Sequence, residues 1–326
     1  MKRISEQQVQ DILTVERVLP AIRETYLDCL AGNIYAGERL FLPIRGEDCT
    51  GQWLTACSLT KPFFGSKFSS VFPPNLQRGL PSVLSTISLY SAVTGQLEAM
   101  IDANYLTAIK TAGSAAVATD ALARKDADTL AIIGTGFQAF SQVRTIQAVR
   151  AIKTLYVYDM FPERVARFVG MIREIQNHPY EIIVAQSGAD CVKQADIICT
   201  CTTSRTPVFP GSALKAGTHI NAIGSFTDSM QEIDTETVQR AERVVTEHVS
   251  GLWQAAGDIL IPFRNGDIRK DKVSGSIASV LNGSIAGRER DDQITLYESV
   301  GSGVLDIALA ILVYETLANR ETTSVD

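Results

Sequence analysis

Gly134, Gly136 and Ala139 in the run IIGTGFQAFSQ form a G-x-G-x-x-A pattern. Small residues at that spacing let a backbone turn tightly against a pyrophosphate and let a helix pack closely on a strand. That is the chemistry of dinucleotide binding. Short glycine patterns recur by chance, so the surroundings decide: TLAII reads as the buried strand before the turn, Thr135 completes the turn, and Gln138 and Ala139 open a helix whose N-terminus would face phosphate. The next strand, TLYVYD, ends in Asp159, roughly 20 residues on, where an acid accepts hydrogen bonds from the adenosine ribose hydroxyls. A carboxylate there repels a 2′-phosphate and favours NAD. Arg164 lies close behind, and an arginine near that turn suits a 2′-phosphate, so NADP stays possible.

A second group of residues suits proton transfer and anion binding. Lys67 stands in a strand-like segment between Phe64 and Phe68, an uncommon place for a solvated lysine. A desolvated ammonium has a lowered pKa and can give or take a proton near neutrality. The bland alternative is an edge-strand lysine facing water. Lys110 follows Ile109 on an Ala-rich helical stretch and could equally be a solvent-facing charge, and Arg39 alone reads as a surface arginine. Thr202 and Thr203 in CTTSRTP follow the strand ADIICT, at the strand end where open α/β sheets bind ligands, with a structural turn as the alternative.

The elements that must position these residues fall into two textures. Ser5 should cap a first helix over EQQVQDIL, and a second through VERVLPAIRETYLDCLA should stop at Gly32. From Arg39 to Asp102, short apolar runs punctuated by Gly and Pro predict a strand-rich domain, with two strands of SVLSTISLYSAVTGQLEAMID joined at Thr94-Gly95. YLTAIKTAGSAAVATDALAR predicts a long helix. After Asp126 the runs TLAIIG, TLYVYD, EIIVA, ADIICTCT, HINAIG and ERVVTE alternate with helical segments, the texture of a doubly wound parallel sheet. The chain ends in an apolar helix that should dock on the first domain or on a partner subunit. The fold class is therefore α/β: a Rossmann-type doubly wound NAD(P)-binding domain over 119–304, and an α+β substrate-binding and dimerisation domain over 1–118 with 305–326.

With 326 residues, 45% hydrophobic, two domains are the natural expectation. A net charge of −6 without a basic run argues against nucleic acid, and the absence of an N-terminal apolar stretch or a long apolar run makes the cytoplasm the default, without a membrane partner. Six cysteines form no C-x-x-C pair and lie far in sequence from His178, His219 and His248, so no metal site is expected. Cys199 and Cys201 are read as small buried thiols.

The order of motifs resembles the ornithine cyclodeaminase and mu-crystallin family over nearly the whole chain. The likeness rests on Arg39 in ERLFLP, GSKFSSVFPPNLQRGLPSV with Lys67, TAIKTAGSAAVATDALAR, GTGFQAFSQ, CTTSRTPVF, HINAIGSF and ITLYESVGSG. The resemblance implies a homodimer and a nicotinamide cofactor facing a small amino or imino acid across an interdomain cleft. It implies that Arg39, Lys67 and Lys110 hold the substrate carboxylate, and by analogy it places Gly224 and Ser299 near the nicotinamide. Two positions depart from the family pattern. Lys110 stands where the family has arginine, which trades a planar fork for a single-point contact. Phe226 stands where cyclodeaminases have an aspartate, with Asp228 two residues on, and the loop matches neither the cyclodeaminase nor the mu-crystallin branch. The expected function is hydride transfer between nicotinamide and the α-carbon of a small imino or amino acid, with Lys67 polarising the imine or relaying a proton. The alternatives are a cyclodeaminase-type lyase releasing ammonia and a mu-crystallin-like ligand-binding protein.

Overall fold

The computed structural model describes residues 1–45, 49–174 and 180–323. His178 lies outside them. The chain divides into two compact units, Met1–Lys110 with Ser302–Asp326, and Thr111–Gly301. The first dividing point falls inside the helix Asn104–Leu122, which runs on without a break and leaves no mark of a boundary in the sequence. No helix among the described residues is long and apolar enough to cross a membrane.

In the first unit, Ser5 caps helix α1 (Glu6–Ile12) reciprocally: its hydroxyl accepts from the Gln8 N–H while the Gln8 side chain accepts from the Ser5 N–H. Helix α2 (Val15–Ala31) stops at Gly32, as its sequence predicts. Seven strands are present among the described residues, the last five within the stretch expected to be strand-rich: β1 (Lys2–Ile4), β2 (Ile34–Ala36), β3 (Leu40–Arg45), β4 (Cys49–Ser58), β5 (Phe63–Val71), β6 (Val83–Ser91) and β7 (Leu97–Asp102). They form one sheet in the order β1-β7-β6-β5-β4-β2, with β3 paired to β4. Strand β1 went unread because three residues carry no alternation. On β5 the buried residues Gly65, Lys67 and Ser69 alternate with less buried ones, so one face is the core face. The apolar C-terminal helix, Gly303–Thr323, packs on β4, β5 and β6 and on α2, the docking that its composition demands.

The second unit is an eight-stranded, wholly parallel sheet. Its strands are β8 (Thr129–Ile133), β9 (Thr154–Tyr158), β10 (Glu181–Val184), β11 (Ile197–Thr200), β12 (His219–Ala222), β13 (Arg243–Thr246), β14 (Gly275–Ser276) and β15 (Thr295–Glu298). The order β10-β9-β8-β11-β12-β15-β13-β14 puts β8 and β11 side by side at the point where the winding reverses. Ligands bind at such a switch point, outside the carboxyl ends of the strands. Central strands buried on both faces need no alternation, and every residue of IICT and HINA is buried.

Candidate functional site

The glycine turn follows β8 at the carboxyl edge of the sheet. Gly134 has φ +87, and a Cβ there would lie 2.6 Å from Thr202 Cγ2 and 2.9 Å from the Cys201 carbonyl oxygen. Only glycine permits this turn so close to the end of β11. Gly136 faces open space, with nothing within 4 Å of where its Cβ would stand. Gln138 occupies the N-cap position of the helix Ala139–Ile146 without capping it, and its buried Oε1 has no hydrogen-bond partner among the described residues. An open turn, a helix N-terminus and an unpartnered amide together fit the pyrophosphate of a dinucleotide.

Asp159 lies beside this turn. The Thr135 N–H and hydroxyl both donate to its Oδ2, at 2.8 and 3.0 Å, and the Phe161 N–H donates to Oδ1 at 3.0 Å. The carboxylate thus ties the phosphate-binding turn to the end of β9, and Oδ1 keeps capacity for a ribose hydroxyl. The Arg164 guanidinium stacks over the Phe161 ring, 4.2 Å from its centroid.

A residue absent from the sequence reading organises the next strand ends. The buried Glu232 accepts the Thr202 N–H and hydroxyl on Oε1 (2.6 and 2.8 Å), and the Thr200 hydroxyl and Gly224 N–H on Oε2 (2.8 and 2.7 Å). One carboxyl group therefore joins the loops after β11 and β12. Gly224 leaves no room for a side chain, since a Cβ would meet the Thr202 carbonyl and stand 2.6 Å from Glu232 Oε1. Asp258 Oδ1 in turn accepts the N–H groups of Glu232 and Ile233, at 2.6 and 2.9 Å. Burial pushes Glu232 above the usual carboxylate range, and pushes Asp258 and Glu298 well above it, with neighbouring carboxylates adding to the rise. Thr203 is exposed, while Ser299 is buried and donates its N–H to the Ala222 oxygen at 2.9 Å. A lone glutamate in a loop does not announce its burial, so no local pattern marks Glu232.

The first unit holds a cluster of charge in its core. Lys67 is 4% exposed and Lys110 2% exposed, so neither takes the solvent-facing alternative. Both meet Asp306, in the first turn of the C-terminal helix: Lys67 Nζ lies 2.8 Å from Oδ2 and Lys110 Nζ 3.5 Å from Oδ1. Burial pulls the Lys67 pKa down to about 8, opposed by the Asp306 charge and assisted by the charges of Lys110 and Arg39. Arg39, from the segment before β3, therefore acts on the same ammonium. Two lysines sharing one carboxylate leave an excess of positive charge suited to an incoming anion. Asp306 was not anticipated. Its one sequence signal is a single acid near the start of an otherwise apolar stretch, VLDIALAILV.

Phe226 is partly buried, and Asp228 turns to the surface, where it pairs with Arg264 at 2.9 Å. The nearby acid is thus engaged elsewhere.

Known proteins resemble this chain over most of its length. The profile of the ornithine cyclodeaminase/mu-crystallin family matches residues 4–321. The chain is 35% identical, over 88% of its length and 89% of the relative's, to a Delta(1)-pyrroline-2-carboxylate reductase of Bacillus cereus. A solved structure of Thermococcus litoralis Delta(1)-pyrroline-2-carboxylate reductase, in complex with NADH and L-proline, superposes with a TM-score of 0.94 at 30% identity, covering 98% of both chains. An archaeal alanine dehydrogenase dimer with bound NAD superposes with a TM-score of 0.89 at 27% identity, covering 98% of this chain and 96% of that one.

Proposed function

We propose, from the premise that the chain belongs to the ornithine cyclodeaminase/mu-crystallin family, that it reduces a small cyclic imino acid of the pyrroline-2-carboxylate class with NADH. It is an NAD(P)H-dependent oxidoreductase acting on C=N bonds. The observation that carries the substrate reading is the buried Lys67, held at 2.8 Å by Asp306 with a pKa near 8, within reach of physiological pH.

Each residue then has a task. Arg39 and Lys110 hold the substrate carboxylate, as a charged pair in a poorly solvated site can do far better than in water. Lys67 as ammonium donates a proton to the imine nitrogen, and the C=N π pair becomes the new N–H bond as carbon receives hydride. Bound NADH supplies that hydride and is left as NAD⁺. On β5, the cross-strand neighbours of Lys67 are Leu54 and Ile87, both buried, so the proton is held away from bulk water. The open turn at Gly136, the Gln138 amide, Asp159 and the loop ends joined by Glu232 would hold the dinucleotide, with Thr202, Thr203, Gly224 and Ser299 on its nicotinamide side. Asp159 favours NADH, and Arg164 is stacked on Phe161. Phe226 and the paired Asp228 weigh against the deaminating cyclisation of ornithine. The active form is a homodimer in this reading, supported by the edge strand β3, which exposes Leu40, Leu42 and Ile44.

The test is a panel of pyrroline-2-carboxylate, piperideine-2-carboxylate, iminosuccinate, and pyruvate with ammonia or methylamine, following NADH and NADPH oxidation. Turnover of a cyclic imino acid with NADH is the expected result. Consumption of ornithine with ammonia release and no net change in NADH would overturn it, and silence across the panel with tight NADH binding would favour a ligand-binding protein.

A further inference from the structure

We propose that Asp306 is the positioning residue of the proton-transfer group, pairing unequally with two lysines so that Lys67 is held as the proton donor and Lys110 is left to the substrate anion. The assignment rests on the reaction proposed above and adds to it a residue that touches neither substrate nor cofactor.

The geometry comes from three distant segments. Lys67 projects from β5, Lys110 stands on the helix Asn104–Leu122, and Asp306 sits in the first turn of the C-terminal helix. Asp306 is fully buried, and its two oxygens face the two ammonium groups. Those approach to 2.8 Å for Lys67 and 3.5 Å for Lys110. A buried carboxylate without such partners would be strongly disfavoured, and two buried ammonium groups without an anion would repel. The first turn of a helix adds positive potential from the backbone at the place where Asp306 stands. Unequal pairing divides the labour: the closer lysine is fixed in place, and the looser one can turn to an arriving carboxylate.

The charged groups acting on Lys67 are Asp306 from the C-terminal helix, Lys110 from the helix Asn104–Leu122, and Arg39 from the segment before β3. On the flanking strands β4 and β6 its neighbours are Leu54 and Ile87, which carry no charge. Asp306 favours the ammonium form, whereas Lys110 and Arg39 oppose it. Removing Asp306 and removing Lys110 must therefore move Lys67 in opposite directions. A merely structural role for Asp306, in which Lys67 is not the proton donor, does not carry those shifts into the pH profile of turnover.

The experiment is a pH titration of ¹³Cε-labelled lysines by NMR in the full chain, with the Lys67 signal assigned by Lys67→Arg, compared across wild type, Asp306→Asn, Asp306→Glu and Lys110→Gln. In Asp306→Asn the Lys67 midpoint should fall by about one unit or more, as loss of a close opposite charge does. In Lys110→Gln it should rise, and Asp306→Glu should restore most of the wild-type midpoint. Turnover by Asp306→Asn should drop at neutral pH while NADH affinity stays within about twofold, the loss lying in kcat with the basic limb moved to lower pH. An unchanged midpoint in Asp306→Asn, or shifts of the same sign in both variants, overturns the proposal. Should Asp306→Asn fail to fold, the sign of the Lys110→Gln shift decides alone, and an unchanged or lower midpoint there overturns it. Because the titration needs no substrate, opposite shifts in a protein that reduces no imino acid would sustain the charge arrangement and overturn the reaction instead.

Discussion

In the unit Thr111–Gly301 the groups that would meet a ligand are main-chain amides, short hydroxyls and the Asp159 carboxylate that also holds Thr135, with Glu232 behind Thr202 and Gly224 as an anchor. In the other unit they are buried ammonium heads on long side chains, balanced by one aspartate. The first arrangement recognises a ligand by the shape of a backbone, and little about it depends on pH. The second depends on charge in a poorly solvated place, where protonation changes the interaction strongly. The difference teaches that cofactor binding and proton transfer in this chain should fail separately.

The largest test of that separation is Lys67→Ala. Loss of the proton donor should lower kcat about 10²- to 10⁴-fold, as removal of a general acid does. NADH affinity, read by fluorescence titration, should stay close to wild type. Wild-type turnover in this variant would break the comparison outright. The converse substitution is Gly134→Val, which forces a side chain into a positive-φ turn against Thr202 and the Cys201 carbonyl. Strain of about 1–3 kcal/mol should weaken NADH binding roughly 10- to 100-fold. The Lys67 titration should be unmoved there.

A pH series sharpens the contrast without mutation. Reduction needs Lys67 protonated, so its kcat/KM should fall about tenfold per pH unit above the free-enzyme Lys67 pKa of about 8. Oxidation of the amino acid needs the neutral amine, so its kcat/KM should rise with pH and level off above about 8. NADH binding should stay flat through the same range, and a matching break in the binding curve would place a titrating group in the cofactor half. The smallest expected effect is that of Asp159→Asn, which removes a charge that repels a 2′-phosphate. The ratio of kcat/KM for NADPH to that for NADH should rise about tenfold or less. Part of the gain is offset because Thr135 loses its charged acceptor.

The two halves also differ in how far the sequence exposes them. The dinucleotide turn is local: strand, Gly134-Thr135-Gly136 and helix are contiguous, and each small residue answers to a backbone constraint a few residues away. The same holds for the Ser5 cap, the stop at Gly32 and the turn at Gly95, all of which stand where their residue types place them. Short strand-like runs likewise mark six of the parallel strands, whereas Thr295–Glu298 is read only as part of a motif and the two-residue Gly275–Ser276 carries no signal. Arg39 and Lys110 were distinguished from ordinary surface charges only by resemblance to a family, because nothing adjacent in sequence says that a helix face or a loop is buried.

Composition and local pattern thus determined the α/β class, the parallel sheet and the place of the phosphate-binding turn, since those follow from interactions within one or two elements. Only the tertiary structure decided that Asp306 meets Lys67 and Lys110, and that Glu232 ties Thr202 to Gly224. Both depend on burial by segments far apart in the chain. A carboxylate has the same chemistry wherever it stands in a sequence, and the low-dielectric surroundings that give it a task exist only once the chain has closed around it.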